Sequence, residues 1–190
     1  GITGETTRDT IQRLLLGRPG GTEGGMIPAD ALVETVPARG VADLLDRVHV
    51  RHAAGGVSVL ALKSYEKGRR KWQGETLDFV WFDEEPPADV YAEGVTRTAA
   101  TRGLTWMTFT PLLGMSAVVA RFLLEPDDDR EVTVMTIDDV GHYSQAEKAR
   151  VVAGYPAHER EARANGVPTM GSGRVFPVPE AEITVPEIAV

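Results

Sequence analysis

The sequence predicts a three-layer α/β domain on a largely parallel sheet. Apolar runs of strand length occur at 77–82, 104–110 and 131–137, with helical patterns lying between and after them. A chain of 190 residues can bury one substantial core.

Each element has its own signal. Residues 1–3 read as the tail of a strand entering a loop. Thr6 is placed to cap a helix, with Asp9 at its third position, close to a capping box. Ile11, Leu14 and Leu15 form an apolar stripe at helical spacing, and Gly17 before Arg18-Pro19 stops it. Residues 18–27 are a Gly-rich loop. A short Asp-capped turn is expected at 30–34 and a short helical segment at 41–45. Residues 47–52 and 57–63 alternate as strands, and Ala53-Ala54-Gly55-Gly56 between them predicts a hairpin that adds an antiparallel edge. Residues 63–74 form a polar, basic connection. The run 77–82 is almost continuously apolar, as in a central strand covered on both faces. A second strand, 104–110, ends at Pro111. A helix is expected at 116–124 and a third strand at 131–137. Ser144 with Glu147 makes a capping box for a helix to about Ala153. A last helix, 156–165, stops at Gly166. There is no internal repeat.

The composition, 42% hydrophobic and 25% charged, is that of a globular chain rather than a disordered one. The absence of cysteine excludes disulfides and thiolate metal sites. No run of eighteen apolar residues exists and the first residues are no signal peptide, so no membrane partner is expected. A formal charge of −8 disfavours nucleic-acid binding by overall field, so any such contact needs a local patch. Gly1-Ile2-Thr3 and the Pro-interrupted residues 180–190 read as cuts through a longer protein; a complete small domain with extended tails is the alternative.

The most informative stretch is Val80-Trp81-Phe82-Asp83-Glu84-Glu85-Pro86-Pro87. Carboxylates directly after a buried strand stand at its carboxyl end, where open α/β sheets bind ligands. Pro86 and Pro87 forbid continuation of the strand. ATP hydrolysis needs one carboxylate for the water shell of magnesium and another to orient and deprotonate the attacking water. Asp83 suits the metal and Glu84 the γ-phosphate side, leaving Glu85 to hold the following loop or contact a neighbour. A solvated acidic turn after a core strand is the plain alternative. The next strand, Leu104-Thr105-Trp106-Met107-Thr108-Phe109-Thr110-Pro111, ends in two hydroxyls. Thr108 or Thr110 could bond the attacking water or Glu84, although threonines at strand ends are common as β-formers.

Taken in order, several motifs resemble one family: Gly4-Glu5-Thr6-Thr7-Arg8-Asp9, Lys63-Ser64-Tyr65-Glu66-Lys67-Gly68-Arg69 with Trp72-Gln73-Gly74, the acidic box from Phe79, Thr108-Phe109-Thr110-Pro111-Leu112, and Gly171-Ser172-Gly173-Arg174-Val175-Phe176-Pro177. The family is the large terminase subunit of tailed double-stranded-DNA phages, and the resemblance runs through nearly the whole chain. It implies a P-loop ATPase domain of the RecA-like, additional-strand class over 1–166, lacking its N-terminal phosphate-loop part, and a passage over 167–190 toward an RNase H-like nuclease domain. It implies that Asp83 is the Walker B aspartate, that Glu84 is the catalytic glutamate and that Thr108 to Thr110 form the coupling motif. ATP and Mg2+ are the implied cofactors. The implied partners are double-stranded DNA, the portal protein, the small terminase subunit and further copies of the chain in a ring. The implied setting is the cytoplasm of an infected or lysogenic bacterium, transiently at the procapsid. Another P-loop translocase or helicase, or a non-catalytic assembly module, are the competing readings.

No G-x-x-x-x-G-K-[ST] occurs in the chain. Two carboxylates without a lysine and a nest of backbone N–H groups repel a polyphosphate. The 190-residue chain by itself is therefore expected not to turn ATP over; turnover near ~1 per second, abolished by Glu84→Gln, would show that the phosphates bind elsewhere. The concentrated basic stretch is Lys63, Lys67, Arg69, Arg70 and Lys71. It suits a DNA backbone, a neighbouring subunit's nucleotide or the phosphates of its own site, with a solvated loop as the alternative. Arg97 and Arg102 are candidates to reach across a ring interface. Trp72 and Trp81 read as packing residues, and His49, His52, His142 and His158 share no spacing that suits zinc.

Overall fold

A computed structural model describes residues 1–18, 24–125 and 127–168; the 169–190 part of the expected passage lies outside the described residues. The chain is mixed α/β and divides into two compact units, Gly1–Thr108 and Phe109–Val190.

The first unit opens with three consecutive helical segments: α1 (Gly4–Thr7), a π-helical Arg8–Gln12 and α2 (Arg13–Leu16). The cap is Thr3 rather than Thr6. The Thr3 side chain accepts from the Thr6 N–H, and the Thr6 hydroxyl closes the box by accepting from the Thr3 N–H. The sequence offers three threonines here, and Thr6 serves as the third helical residue instead of the cap. Gly17, with a φ of 92°, ends the helix as expected.

A three-stranded antiparallel sheet follows, in the order β1 (Leu32–Pro37), β2 (Leu45–Arg51), β3 (Val57–Ala61). The β2–β3 hairpin is the expected one. Strand β1 corrects the turn expected at 30–34: a 3-10 turn occupies only Ala29–Ala31, and the β-forming run Leu32-Val33-Glu34-Thr35-Val36 then pairs with β2. The helix expected at 41–45 is also absent. Asp43 adopts a left-handed φ of 58°, and the buried Gln12 amide takes up the backbone on either side of Leu44. Its Nε2 donates to the Asp43 carbonyl at 2.8 Å, while its Oε1 accepts from the Leu45 N–H at 2.8 Å. Those bonds replace what a helical turn would have supplied.

The second sheet of this unit is the parallel pair β4 (Phe79–Asp83) and β5 (Leu104–Thr108), joined by α3 (Ala88–Ala99) in a βαβ unit. Parallel pairing is confined to this pair, so the largely parallel sheet of the sequence reading is corrected to one parallel and one antiparallel sheet among the described residues. Nor is β4 central and doubly covered. Val80 and Phe82 are buried, Trp81 is half-buried, and Phe79, Leu104 and Trp106 on the opposite face are exposed. An apolar run reports strand propensity, but the layer that covers it comes from elsewhere in the chain.

Phe82 is 0% exposed. It is ringed by Tyr65, Trp72 and Tyr91 at centroid distances of 6.2, 5.4 and 5.9 Å. Tyr65 and Trp72 come from the 63–74 connection, which forms two 3-10 turns, Tyr65–Lys67 and Arg69–Trp72.

In the second unit the helix expected at 116–124 is α4 (Ala117–Leu123), with Ser116 as its cap, and α5 (Gln145–Ala153) is capped by the expected Ser144–Glu147 box. The helix expected at 156–165 is shorter: a 3-10 turn, Ala157–Glu159, precedes α6 (Arg160–Asn165), which ends at left-handed Gly166 as expected. The third strand, 131–137, does not form. Val132, Val134 and Met135 are exposed with no ladder partner among the described residues. Thr136 and Asp139 instead make a capping box for the 3-10 turn Ile137–Asp139.

Gly94, on the inner face of α3, tests the packing. A Cβ there would lie 2.5 Å from Phe82 Cζ and 3.1 Å from Cε2. Gly94→Ala gains about 1 kcal/mol of helix propensity, yet is expected to lose about 1–3 kcal/mol net to overpacking against a ring that cannot move. Urea denaturation of the variant beside wild type measures the sign.

Candidate functional site

β4 and β5 run in the same direction with Asp83 opposite Thr108, so both reach the carboxyl edge together. The ladder extends one bond further, the Glu84 N–H donating to the Thr108 carbonyl at 2.8 Å. There the chain turns: Glu84 has a φ of 63°, left-handed and unusual for a residue with a Cβ. A strained backbone of this kind costs on the order of 1–3 kcal/mol and persists only where its surroundings hold it. The holding group is Tyr65. Its single hydroxyl proton is shared between the Asp83 carbonyl at 2.9 Å and the Glu84 carbonyl at 3.1 Å. Buried Pro86, then Pro87, carry the turn into α3.

Asp83 is half-buried and Glu84 exposed. Burial pushes the Asp83 carboxyl above its usual range, and the backbone of Gly1 lies nearby. Gly1 reaches this place because residues 1–2 run beside the basic connection: the N–H groups of Tyr65 and Glu66 donate to the Gly1 and Ile2 carbonyls at 3.0 and 3.1 Å. Burial likewise raises the Tyr65 phenol, and the Asp83 and Glu84 charges raise it further. Tyr65 is therefore a hydrogen-bond donor throughout the neutral range.

Thr108 already accepts the Trp81 indole N–H at 2.8 Å, leaving its own hydroxyl proton to donate elsewhere. Thr110 lies two residues beyond β5, in the second unit. Asp83 and Thr108 are thus brought together as expected, and Thr110 is not on the strand. Among the described residues no group of three or more His, Cys, Asp or Glu could hold a metal. One carboxylate supplemented by phosphate oxygens is, however, an ordinary magnesium environment. Asp83 fits that role.

Lys67, Arg69, Arg70 and Lys71 are exposed, and none forms an ion pair among the described residues. Lys63 behaves differently. Its ammonium is held by Glu75 and the Lys71 carbonyl and lies 5.6 Å from the Trp72 ring, so it is structural. Arg47 reaches the same Glu75 at 3.6 Å. Lys63, Arg47, Lys67, Lys71, Ser64 and Glu75 face a cavity of about 150 Å³. Arg97 is paired with Glu93 at 3.1 Å, one turn back on α3. Arg102 precedes β5, whereas Asp83 pairs with that strand's last residue; four residues of strand separate those ends by about 13 Å. Neither arginine is part of the carboxyl-edge site.

Sequence reasoning missed Tyr65. The available signal was an aromatic residue inside an otherwise polar, basic connection. It missed Glu66 too, whose carboxylate accepts from the Gly4 N–H at 2.8 Å and from the Ser64 hydroxyl at 3.1 Å.

A family model described as "Terminase large subunit, T4likevirus-type, N-terminal" matches residues 2–183. The chain belongs to the terminase large-subunit family. This terminase chain is 44% identical over 194 aligned positions to the terminase large subunit of Salmonella phage P22, covering 96% of the chain and 38% of that protein. It is 44% identical over 119 positions to the terminase large subunit of Enterobacteria phage LP7, covering 63% of the chain and 25% of that relative. The chain therefore spans well under half the length of either. No solved structure matches it. No helix among the described residues is long and apolar enough to cross a membrane.

The raised Asp83 carboxyl has a pH signature. The folded state holds that proton more tightly than the unfolded state does. Asp83 therefore subtracts stability as pH rises from the ordinary aspartate value, about 3.9, through its own higher value, and the full cost remains at neutral pH. Asp83→Asn is expected to raise the denaturation midpoint at pH 7 and to leave it unchanged near pH 3. Urea titrations at both pH values check this.

Proposed function

We propose that the chain is part of the ATPase domain of a DNA-packaging motor and carries the metal-and-water end of its nucleotide site, in a three-layer, RecA-like P-loop fold. The observation that carries this reading is the acidic pair at the carboxyl edge of a parallel strand, with Thr108 in register beside it and Glu84 held in a left-handed turn. Family membership favours packaging over another translocase.

Asp83 would hold the water shell of Mg2+, and Glu84 would orient the attacking water and take its proton. Magnesium bound with ATP supplies neutralisation of phosphoryl charge. Thr108 or Thr110 would hydrogen-bond the attacking water or Glu84 and link hydrolysis to movement of the 111–116 loop. A phosphate-binding loop upstream, as the family resemblance implies, would join the chain at Gly1, beside Asp83 and Glu84. The partners of such a motor are double-stranded DNA, the portal protein, the small terminase subunit and further copies in a ring. Its place is the cytoplasm of the bacterial host and, transiently, the procapsid. Arg97, being paired with Glu93, is a weaker candidate for a ring contact than Arg102.

In the intact protein, Glu84→Gln is expected to leave ATP affinity within about threefold and to lower turnover by about 10²–10⁴-fold, the worth of a positioned base. Asp83→Asn should instead weaken magnesium-dependent nucleotide binding. Steady-state hydrolysis beside equilibrium nucleotide binding separates the two. Near-normal turnover in the Glu84 variant would move the base elsewhere, Glu85 first; normal turnover in both variants would take the acidic pair out of the chemistry, and no turnover in the intact wild type would leave a non-catalytic assembly module.

A further inference from the structure

The basic turn and the acidic box are one mechanical piece. Lys67, Arg69, Arg70 and Lys71 place four positive charges within five residues of a chain whose net charge is −8. The neighbouring cations are paired, Lys63 with Glu75 and Arg47 with Glu75 and Asp46, and Glu66 is committed to the Gly4 N–H. The four remain exposed and without an ion pair among the described residues. They are displayed on a fixed backbone. The Gly68 N–H donates to the Tyr65 carbonyl at 2.8 Å, the Lys71 N–H donates to the Gly68 carbonyl at 3.2 Å, and the Lys71 carbonyl accepts the Lys63 ammonium.

Both ends of this turn are aromatic anchors, Tyr65 before it and Trp72 after it, and both rings pack on Phe82. Phe82 immediately precedes Asp83, and the Tyr65 hydroxyl holds the Asp83 and Glu84 carbonyls. A pull on the turn therefore reaches the Glu84 turn by two routes, ring packing and a shared hydrogen-bond donor.

We propose that the 67–71 turn binds the phosphodiester backbone of duplex DNA, and that Tyr65 carries its occupancy to the backbone of Glu84. The identity of the polyanion rests on the packaging reading above. Lys67 closes one 3-10 turn and Arg69, Arg70 and Lys71 lie in the next, with Gly68 between them. Four charges spread over two short turns suit the repeated phosphates of a polymer, one for every ~3.4 Å of duplex axis on each strand, more than one compact anion needs. Contacts of this kind fix position without reading bases. Tyr65 is here a positioning residue, touching the site only through its backbone.

The test uses the intact protein without nucleotide, so it succeeds or fails independently of whether the acidic pair hydrolyses ATP. Binding of a fluorescein-labelled 30-base-pair duplex is followed by anisotropy between 50 and 200 mM salt. Changing Lys67, Arg69, Arg70 and Lys71 together to Gln is expected to weaken binding about tenfold or more and to make the log–log salt slope shallower by about 3. An unchanged affinity or slope overturns DNA binding by this turn. Sodium tripolyphosphate is the competing probe: if millimolar tripolyphosphate binds the wild type but not the variant while duplex affinity is equal in both, the turn serves a nucleotide's phosphates and the proposal fails.

Hydrogen exchange then reads the coupling at the Glu84 amide, which donates to Thr108. Saturating duplex is expected to change exchange in the peptide spanning 79–85 at least about twofold, and Tyr65→Phe, which keeps the ring but not the donor, should abolish that change while duplex binding persists. No DNA-dependent change in wild type, or the same change in Tyr65→Phe, overturns the coupling.

Discussion

Phe82 has no exposed surface, and two separate parts of the first unit are assembled on its ring: Tyr65 and Trp72 from the basic connection, Tyr91 and the bare Cα of Gly94 from α3. Burying one such side chain removes most of its area from water, a gain of about 1.5–3 kcal/mol before the aromatic contacts are added. The parallel pair, the helix after it and the connection before it therefore stay together for a common reason. The next residue in the chain is Asp83. Whatever the acidic edge does chemically, its position is inherited from the packing of its neighbour.

The electrostatic design follows from that placement. Acids and bases in the first unit are mostly settled locally: Lys63 and Arg47 on Glu75, Arg97 on Glu93, Arg8 on Asp9. Two groups stand apart. Asp83 is kept partly out of water without a cation strong enough to offset the cost, so its carboxyl is raised. The 67–71 cations are kept in water without acids of their own. A desolvated carboxylate and an uncompensated cationic turn are both incomplete by the standards of stability alone, which is the usual condition of groups that meet a ligand. Tyr65 stands between them, its backbone in one and its hydroxyl at the other.

The left-handed Glu84 deserves weight for a physical reason. A continuing strand would place Glu84 on the opposite face from Asp83. The positive φ breaks that alternation at the point where the ladder ends. The break is secured by the Tyr65 hydroxyl, whose one proton is shared between the Asp83 and Glu84 carbonyls, and by the Glu84 N–H donating to the Thr108 carbonyl. Two adjacent carboxylates thereby acquire unlike surroundings, one half-buried and one exposed.

The sequence by itself determined what depends on near neighbours along the chain. Ser144 with Glu147, Gly17 and Gly166 mark helix ends because capping is settled within one turn. The 52–56 hairpin was legible in its glycines, and the acidic box was legible because a strand that ends in carboxylates and prolines can go no further. What only the tertiary structure decided depends on partners far away in sequence. Residues 32–37 become a strand because β2 accepts them, whereas 131–136, with as good a pattern, find no partner among the described residues and stay exposed. Residues 41–45 lose their helix to the amide of Gln12, about thirty residues upstream. Tyr65 looked like one more loop residue until folding set its hydroxyl against carbonyls eighteen and nineteen residues on. Local propensities are worth tenths of a kcal/mol per residue, so a single long-range hydrogen bond or a buried ring is enough to overrule them.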